Sequence, residues 1–266
     1  MMQEFGEARM RSISSSVESY LPFLLQGDVE GLAGLFGNTE PLVNDVREGR
    51  VEGRPGLERL VESTTKWLAG KRAYVQHLRT TNGPKRSISE EILHIDLFGK
   101  KIELPVGVLA LKNAAGAIIA IHVYHTLWPL KHKHTVREAF VEPDPNAEHT
   151  GVVLSFVKNL GVGDIAGALQ MFEPDLYLRE ASGPPFVHWG TADVASYFVG
   201  LFAPGAPMIK KYTVTDDGRC AVMEFAVVGW AGKAWPREQH QAGLAVYERG
   251  ESGLLRAIRI YDDVAF

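Results

Sequence analysis

The chain has 266 residues, and its 45% hydrophobic and 23% charged content is the profile of a folded globular protein of about two average domains. Its formal net charge of −4 lacks the basic excess that attracts nucleic acids and anionic bilayers, so we expect neither as a partner. Cys220 is the only cysteine, which excludes an internal disulfide and thiolate-clustered metal sites and favours a reducing, cytoplasmic location.

The predicted elements begin with helices and end with strands. Apolar residues near the start recur at the spacing of one helical face, namely Val17, Tyr20, Leu21, Leu24 and Leu25. Asp28 is placed to cap a short second helix that reaches Phe36. A short strand over residues 41–45 follows, and Pro55 suits the first turn of a third helix that ends near Leu68. Strands are then predicted at 73–80, 87–97, 101–112 and 118–128, with tight turns at 98–100 and 113–116.

The same pattern occurs twice along the chain. Residues 153–172 match residues 17–36 without gaps, and the two segments share Val, Ser, Leu, Gly, Asp, Gly and Phe at equivalent places. Further on, Gly107 aligns with Gly243, and Ala120 aligns with Ala257 after one inserted residue. In the second copy, Thr191 is expected to cap the third helix over 194–202. Its strands are predicted at 209–215, 219–230, 240–249 and 254–262.

Helices followed by strands indicate the α+β class rather than alternating βαβ units. The sequence therefore predicts a tandem duplication of a cone-shaped α+β barrel, each copy with three N-terminal helices and a curved antiparallel sheet. We expect a first domain at 12–130, a polar linker at 131–149 and a second domain at 150–266. The two copies are expected to pack as an internal pseudo-dimer, and a further homodimer is left open.

These features resemble the nuclear transport factor 2-like superfamily. The resemblance rests on the order of elements, the Gly27-Asp28 turn, the glycine that opens the third helix and the last strand, Ile258 to Asp262. Within the superfamily the chain is most similar to ketosteroid isomerase and the SnoaL-like polyketide cyclases. The superfamily uses one fold for isomerases, cyclases, dehydratases, epoxide hydrolases and plain binding proteins.

The resemblance implies roles for particular residues. A tyrosine seven positions before the Gly-Asp turn helps to bind the oxyanion in ketosteroid isomerase, and Tyr20 holds this place, whereas the second copy has Phe156. The family's general base corresponds to Asp45 and, in the second copy, to Glu180. A third family residue, a protonated aspartate, falls on Gly107 and on Gly243, so both copies lack it. This departure argues against steroid isomerisation itself.

The residue types support acid–base chemistry in their own right. Burial in an apolar cone raises the pKa of a carboxyl group toward the range of a useful general base. A phenol facing it can stabilise a developing oxyanion, and one such donor contributes about 3 kcal/mol. Asp45 with Tyr20 is therefore a candidate catalytic pair. The alternative is that Asp45 is a turn residue and Tyr20 a core residue.

Further candidates for substrate binding lie in both copies. In the first they are His77, His94, His122 and Tyr124; in the second they are Tyr177, Arg179, His188, Trp189, Glu224, Trp230, His240, Arg259 and Asp262. Glu224 and Arg259 interrupt apolar strands, so they are expected either to pair with each other or to leave Arg259 for a ligand carboxylate. A metal held by His77, His94 and His122 is an alternative that we do not adopt.

No nucleotide-binding, serine-nucleophile or zinc-protease motif occurs, so we expect no cofactor and no metal. The favoured prediction is a cofactor-free acid–base enzyme, an isomerase or cyclase, acting on a small, largely apolar carbonyl compound. One alternative is an epoxide hydrolase or cyclase with paired carboxylates, either Glu180 with Glu224, or Asp45 with Glu91 or Asp96. The other is a non-catalytic protein that binds a small molecule.

Overall fold

The computed structural model describes residues 16–45, 47–132, 139–181 and 186–262. The chain divides into two compact units between Tyr124 and His125. The division falls a few residues before the predicted linker, and the predicted domain limits stay a prediction. Among the described helices, none is long and apolar enough to cross a membrane.

The first unit contains helices followed by one sheet. A short 3-10 turn at Val17–Ser19 leads into α1 (Tyr20–Gln26), α2 (Val29–Leu35), β1 (Leu42–Asp45), β2 (Gly49–Glu52), α3 (Gly53–Leu68), β3 (Tyr74–Asn82), β4 (Arg86–Leu97), β5 (Lys100–Lys112) and β6 (Ile118–Tyr124). The strands form a six-stranded sheet in the order β2-β1-β6-β5-β4-β3. Neighbouring strands are antiparallel except β1 and β6, which run parallel.

The second unit repeats this arrangement. Its elements are α4 (Trp128–Lys131), α5 (Gly151–Gly161), α6 (Ile165–Leu169), β7 (Phe172–Arg179), β8 (Val187–Trp189), α7 (Gly190–Phe202), β9 (Pro207–Asp216), β10 (Cys220–Trp230), β11 (Lys233–Ala234), β12 (Gln241–Arg249) and β13 (Leu255–Asp262). The main strand order is β8-β7-β13-β12-β10-β9, with the short β11 also on β10. Here β7 and β13 form the parallel pair.

The two sheets therefore have the same strand order and the same single parallel pair. The α+β class and the duplicated unit of helices followed by a curved sheet are confirmed. Each sheet is mixed rather than wholly antiparallel, because the first strand of each unit lies beside the last one. That contact joins the two ends of the unit and places the end of β1 next to the middle of the sheet.

Local signals explain most element boundaries. Gly27 ends α1 with a φ of 74°, and the carboxylate of Asp28 accepts a hydrogen bond from Gly31 N at 2.8 Å, so the predicted cap is confirmed. The predicted cap at Thr191 is wrong, because α7 already begins at Gly190, whose φ of 72° turns the chain directly from β8 into the helix.

The strand register corrects the alignment of the two copies by one residue. Gly107 lies opposite Glu90 and Tyr124, whereas Leu244 lies opposite Glu224 and Tyr261. Since Tyr124 and Tyr261 take equivalent places in the last strands of the two units, Leu244 rather than Gly243 takes the place of Gly107. Sequence identity favoured the wrong register because one glycine matched by chance.

The interior of the second unit is filled by apolar side chains. Its buried core includes Phe156, Phe172, Phe198 and Tyr247, and the ring of Phe156 lies within 5.1 to 6.1 Å of the other three. His149, just before α5, packs edge-on against Tyr247 at 5.4 Å. Rings occupy the space between the helices and the sheet, which leaves this interior apolar.

Candidate active site in the first unit

Polar residues gather on the face of the first sheet that the N-terminal helices cover. The register puts Asn44, His122, Leu109 and Ile88 side by side on one face. Because side chains alternate along a strand, Asp45, Ser89 and Glu91 lie on the opposite face. Thr80 of β3, which pairs with Ser89, donates a hydrogen bond to Glu18 of the 3-10 turn. The helical segment therefore lies over this second face. Asp45 and Glu91 therefore share one interior.

Asp45 is held at the end of β1 by the turn that follows it. Its Oδ1 accepts hydrogen bonds from the backbone N–H groups of Arg47 at 2.7 Å and Glu48 at 3.1 Å. The side chain is buried. Charge-assisted bonds from backbone amides favour a carboxylate and fix its orientation. Asp45 thus has the turn role that was the alternative reading, and the same turn presents its carboxylate to the covered face.

Tyr20 is fully buried, and its hydroxyl has no hydrogen-bond partner within the described parts of the chain. Burial raises the pKa of Tyr20 well above its usual value, the negative charge of Asp45 raises it further, and Arg47 opposes this. The phenol therefore stays protonated and lies within electrostatic reach of Asp45. Buried polar atoms are rarely left unpaired, so an orphaned hydroxyl beside a carboxylate marks a place for a ligand atom.

Glu91 is the second buried carboxyl group on this face. Ser89 Oγ donates a hydrogen bond to its Oε1 at 2.7 Å, while Oε2 has no partner in the described structure. Burial raises the pKa of Glu91 to about 7; the bond from Ser89 lowers it and the charge of Glu18 raises it. Near neutral pH, Glu91 can therefore exist as an acid or as a carboxylate.

The predicted histidines of the first unit do not meet. His77 lies opposite Glu91 on the covered face, with its Nδ1 3.2 Å from Ser89 Oγ. His94 and His122 lie on the other face; His94 stacks on Tyr74 at 4.4 Å, and His122 is buried in the row next to Tyr124. A metal bound by these three residues is thereby ruled out by their directions.

Asp96 is likewise removed from Asp45. It belongs to the face opposite Glu91 and accepts the N–H of Gly99 at 3.0 Å in the β4–β5 turn. Of the two carboxyl partners considered for Asp45 in this unit, only Glu91 shares its face.

The second unit places Glu180 in a different setting. His188 Nε2 lies 2.9 Å from Glu180 Oε1, and His188 Nδ1 lies 3.5 Å from Asp193 Oδ1. The ring of Tyr197 packs on His188 at 4.6 Å. Phe156 fills the place of Tyr20, so this carboxylate has a histidine beside it instead of a phenol.

The charged strand residues of the second unit have buried polar contacts. The buried partner of Arg259 is Glu248, at 2.8 Å, and Glu224 accepts a hydrogen bond from Thr213 at 2.6 Å. Strand β12 lies between Glu224 and Arg259 in the sheet. The pairing of Glu224 with Arg259 stays a prediction.

The remaining candidates are dispersed. Arg179 is buried with its guanidinium 4.9 Å from the Tyr261 ring, Trp189 is exposed and packs on Tyr177 at 4.7 Å, and Trp230 borders the apolar core. His240 Nε2 lies 3.2 Å from Trp235 O and lines a surface cavity of about 260 Å³. The side chain of Asp262 lies outside the described residues. Among the described residues, the predicted site residues Glu180 and His188 are in contact, as are Tyr177 and Trp189, and Asp45 lies within electrostatic reach of Tyr20.

Sequence reasoning missed the supporting residues. Ser89, Thr80, Glu18 and Asp193 belong to no motif that the sequence analysis singled out. Glu91 was considered only as a partner of Asp45 in epoxide chemistry. The signal that could have found it is the pair Glu90-Glu91 between Ile88 and Ile92 in a strand, since two consecutive residues of a strand face opposite sides of the sheet.

The fold and the site define a protein of two α+β units, the first of which holds a buried carboxylate beside an unpaired phenol in the described structure. No family model matches the chain, and no curated protein matches it. Solved structures similar to part of it include an NTF2-like protein of unknown function from Burkholderia xenovorans, 14% identical, which covers 43% of this chain and 82% of its own with a TM-score of 0.35.

Two further similar structures have names that suggest an activity. One, from Sinorhizobium meliloti, is provisionally assigned as a polyketide cyclase; it is 16% identical and covers 42% of this chain and 94% of its own, with a TM-score of 0.35. The other, from Kribbella flavida, is provisionally assigned as a ketosteroid isomerase; it is 14% identical and covers 43% and 77%, with a TM-score of 0.35. At these scores the likenesses do not bear on function, which must be argued from the site.

Proposed function

We propose that the first unit catalyses cofactor-free proton transfer next to a carbonyl group in a small, largely apolar molecule, as an isomerase or a cyclase. The observation that carries this proposal is the buried hydroxyl of Tyr20, which has no hydrogen-bond partner in the described structure and lies within electrostatic reach of the buried carboxylate of Asp45. The surrounding face supplies apolar contacts, because Val43, Val108 and Val123 share it with Asp45.

The chemistry follows from the two groups. Asp45 removes a proton from the carbon next to the carbonyl, and the electron pair of that C–H bond moves toward the carbonyl oxygen. Tyr20 donates its hydrogen bond to that oxygen as negative charge develops there. A proton then adds at a different carbon in an isomerisation. In a cyclisation the carbanion attacks a second carbonyl within the same molecule, and the alkoxide that forms takes up a proton.

A general test measures deuterium exchange at the carbons next to the carbonyl. The protein is incubated in D₂O with a panel of small cyclic and unsaturated ketones, and the loss of α-proton signals is followed by NMR. The Asp45→Asn variant should exchange at least about 100-fold more slowly than the natural chain, the lower range for a general base.

Asp96→Asn is the matched control for this experiment. Like Asp45, Asp96 accepts a backbone N–H through Oδ1 at a turn, but it lies at an exposed hairpin. We expect Asp96→Asn to exchange like the natural chain. Equal exchange rates in the two variants would contradict the proposal.

Epoxide opening is the second candidate. It needs one carboxyl group to protonate the epoxide oxygen and one to activate the nucleophile, and Glu91 with a pKa near 7 shares the face of Asp45. The same panel should therefore include small epoxides, with diol formation as the readout. A ligand that raises the melting temperature without turnover in either assay would favour the binding protein instead.

A further inference from the structure

A chain of hydrogen-bonding side chains runs along the covered face of the first sheet from solvent to interior. His77 is exposed on β3, whereas Ser89 and Glu91 of the neighbouring β4 are both fully buried. His77 Nδ1 lies 3.2 Å from Ser89 Oγ, and Ser89 Oγ lies 2.7 Å from Glu91 Oε1. The chain is continuous at hydrogen-bond distance, and only one end of it reaches water.

The donors and acceptors in this chain have a fixed direction. Ser89 has a single hydroxyl hydrogen, which it donates to Glu91 Oε1. Its oxygen must therefore accept at the other contact, which requires a hydrogen on His77 Nδ1. Each hydrogen bond thus points from His77 toward Glu91, the arrangement that a proton needs to travel inward.

The inner end of the chain leaves one oxygen for a ligand. Glu91 Oε1 is occupied by Ser89, while the buried Oε2 has no partner in the described residues. A buried carboxyl oxygen without a partner is costly, so its retention is understandable if a substrate atom fills the contact.

We propose that Glu91 is the proton-donating catalytic residue of the first unit and that His77 resupplies it through Ser89. This inference rests on the proposed function. In the step, Glu91 gives the proton on Oε2 to the substrate, and Oε1 receives the hydroxyl proton of Ser89. Ser89 Oγ takes the proton from Nδ1 of a protonated His77, which becomes neutral and is reprotonated by solvent. One proton enters through His77 for each one that Glu91 delivers, and Asp45 releases to solvent the proton that it removed from the substrate. Rotation of the carboxyl and hydroxyl groups then restores the starting state.

The neighbouring charges suit this direction. Glu18 lies over the same face, and its charge raises the pKa of Glu91 and so favours the protonated acid. Thr80 donates to Glu18, and Thr80 Oγ1 lies 3.4 Å from His77 Nε2. These contacts link the imidazole of His77 to the carboxylate of Glu18 through Thr80.

The second unit provides an internal comparison. In the corrected register, Phe225, Met223 and Lys211 take the places of Glu91, Ser89 and His77. The sheet framework is the same, yet two of these three positions are apolar. The polar chain is therefore no requirement of the fold, and it occurs in the unit that also carries the Tyr20 hydroxyl.

The test compares Glu91→Gln, Ser89→Ala and His77→Ala in the ketone assay, with kcat and KM measured across pH. Glu91→Gln should lower kcat about 100-fold with little change in KM. His77→Ala should lower kcat about tenfold, and imidazole buffer should restore it. Ser89→Ala should lower kcat by a similar factor, and imidazole should not restore it. Ser87→Ala is the control, because Ser87 lies two residues along the same face but donates to Asn82 at 2.6 Å.

A second readout does not depend on turnover. Infrared or ¹³C NMR titration of the Glu91 carboxyl group should show a higher midpoint in Ser89→Ala than in the natural chain and Ser87→Ala. If Ser89→Ala and His77→Ala both behave like Ser87→Ala, the relay is wrong even though Asp45→Asn is inactive. Unaltered exchange in Asp45→Asn would instead refute the proposed function, and an unchanged Glu91 midpoint in Ser89→Ala would still overturn the relay.

Discussion

The hydroxyl of Tyr20 is the residue-level feature that separates function from stability. A buried polar group without a partner costs about 1–3 kcal/mol, so its removal should not weaken the fold. We expect Tyr20→Phe to leave the free energy of unfolding unchanged or to raise it by up to about 1 kcal/mol. The rate of ketone deuterium exchange should fall roughly 100-fold. Urea denaturation followed by circular dichroism measures the first effect.

Tyr247→Phe is the control for Tyr20→Phe, because Tyr247 is a buried tyrosine in the filled core of the second unit. Its exchange activity should match that of the natural chain. A clear loss of stability in Tyr20→Phe would mean that the hydroxyl has a structural partner, which would remove the reason for placing a ligand there.

Glu91 should make the stability of the first unit depend on pH. Its pKa is about 7 in the folded protein against 4.5 in an unfolded chain, so the folded state binds the proton more tightly. Protonated Glu91 makes its full contribution to the free energy of unfolding below pH 4.5, and this contribution is lost as the pH rises through 7. Glu91→Gln should therefore gain about 2 kcal/mol relative to the natural chain between pH 5 and pH 8.

Chemical denaturation at the two pH values measures the gain in Glu91→Gln. Glu103→Gln, an exposed carboxylate on β5, should show no such gain. If the difference between Glu91→Gln and the natural chain is the same at both pH values, Glu91 does not titrate in this range.

The sequence could suggest Asp45 and Tyr20 as candidates because the family resemblance places both relative to recognisable local patterns, the Gly-Asp turn and the strand before the third helix. It could not identify Glu91. Two consecutive glutamates read as an exposed stretch, and only the register of β4 shows that Glu90 and Glu91 face opposite sides. Ser89 matters because its hydroxyl donates to Glu91, two residues further along the same strand, and no local sequence pattern predicts that hydrogen bond.

At the scale of elements, the segment Gly-Asp-x-x-Gly common to both copies is a helix cap. Asp28 and Asp164 each accept a hydrogen bond from the glycine three residues later, at 2.8 Å in both copies. A Cβ atom on Gly31 or Gly167 would collide with the capping carboxylate. Geometry of the cap thus accounts for both residue types, and the strongest repeat in the sequence is structural rather than catalytic.

Loss of this cap should cost stability without affecting chemistry. We expect Asp28→Ala to lower the free energy of unfolding by about 1 kcal/mol and Asp28→Ser to restore most of it, since serine caps helices well. Thermal or urea denaturation provides the measurement. The ketone exchange rate of folded Asp28→Ala should stay at the natural level, and a large fall would show that α2 shapes the site.

At the scale of the whole molecule, the two units differ in what fills them. His149 packs into the second interior, with Nε2 3.3 Å from Met223 Sδ, and burial lowers the pKa of His149 to about 4. The pKa of a histidine in an unfolded chain is 6.5. Neutral His149 therefore makes its full contribution to the free energy of unfolding above pH 6.5, and this contribution is lost as the pH falls through 4. Lys211 and Arg249 lower this pKa, and Asp216 raises it.

The two units should therefore respond to pH in opposite directions. Hydrogen exchange, corrected for intrinsic rates, should show protection of β10 and β12 falling between pH 6.5 and 4.5. Protection of β4 and β5 should fall instead between pH 5 and 8. His149→Gln should abolish the first change and leave the second, with His132→Gln as the exposed control. Parallel responses in both units would contradict this picture.

The doubled architecture was predictable from the sequence because the repeat covers both helices and strands. The parallel strand pair was not, since Leu42–Asp45 is too short to indicate its partner and that partner lies at the far end of the unit. The shift of register in β12 was also hidden, because a chance glycine match outweighed the pairing that the sheet enforces.

The contact between the first and last strands of each unit has a consequence for synthesis. Val43 lies beside Ile121, and Leu178 lies beside Ile258. The early strand must therefore wait in the nascent chain until the late one has left the ribosome, and such distant pairings slow folding. During that delay an uncovered edge is exposed to neighbouring polypeptides, so chaperone capture should peak just before each unit is completely translated.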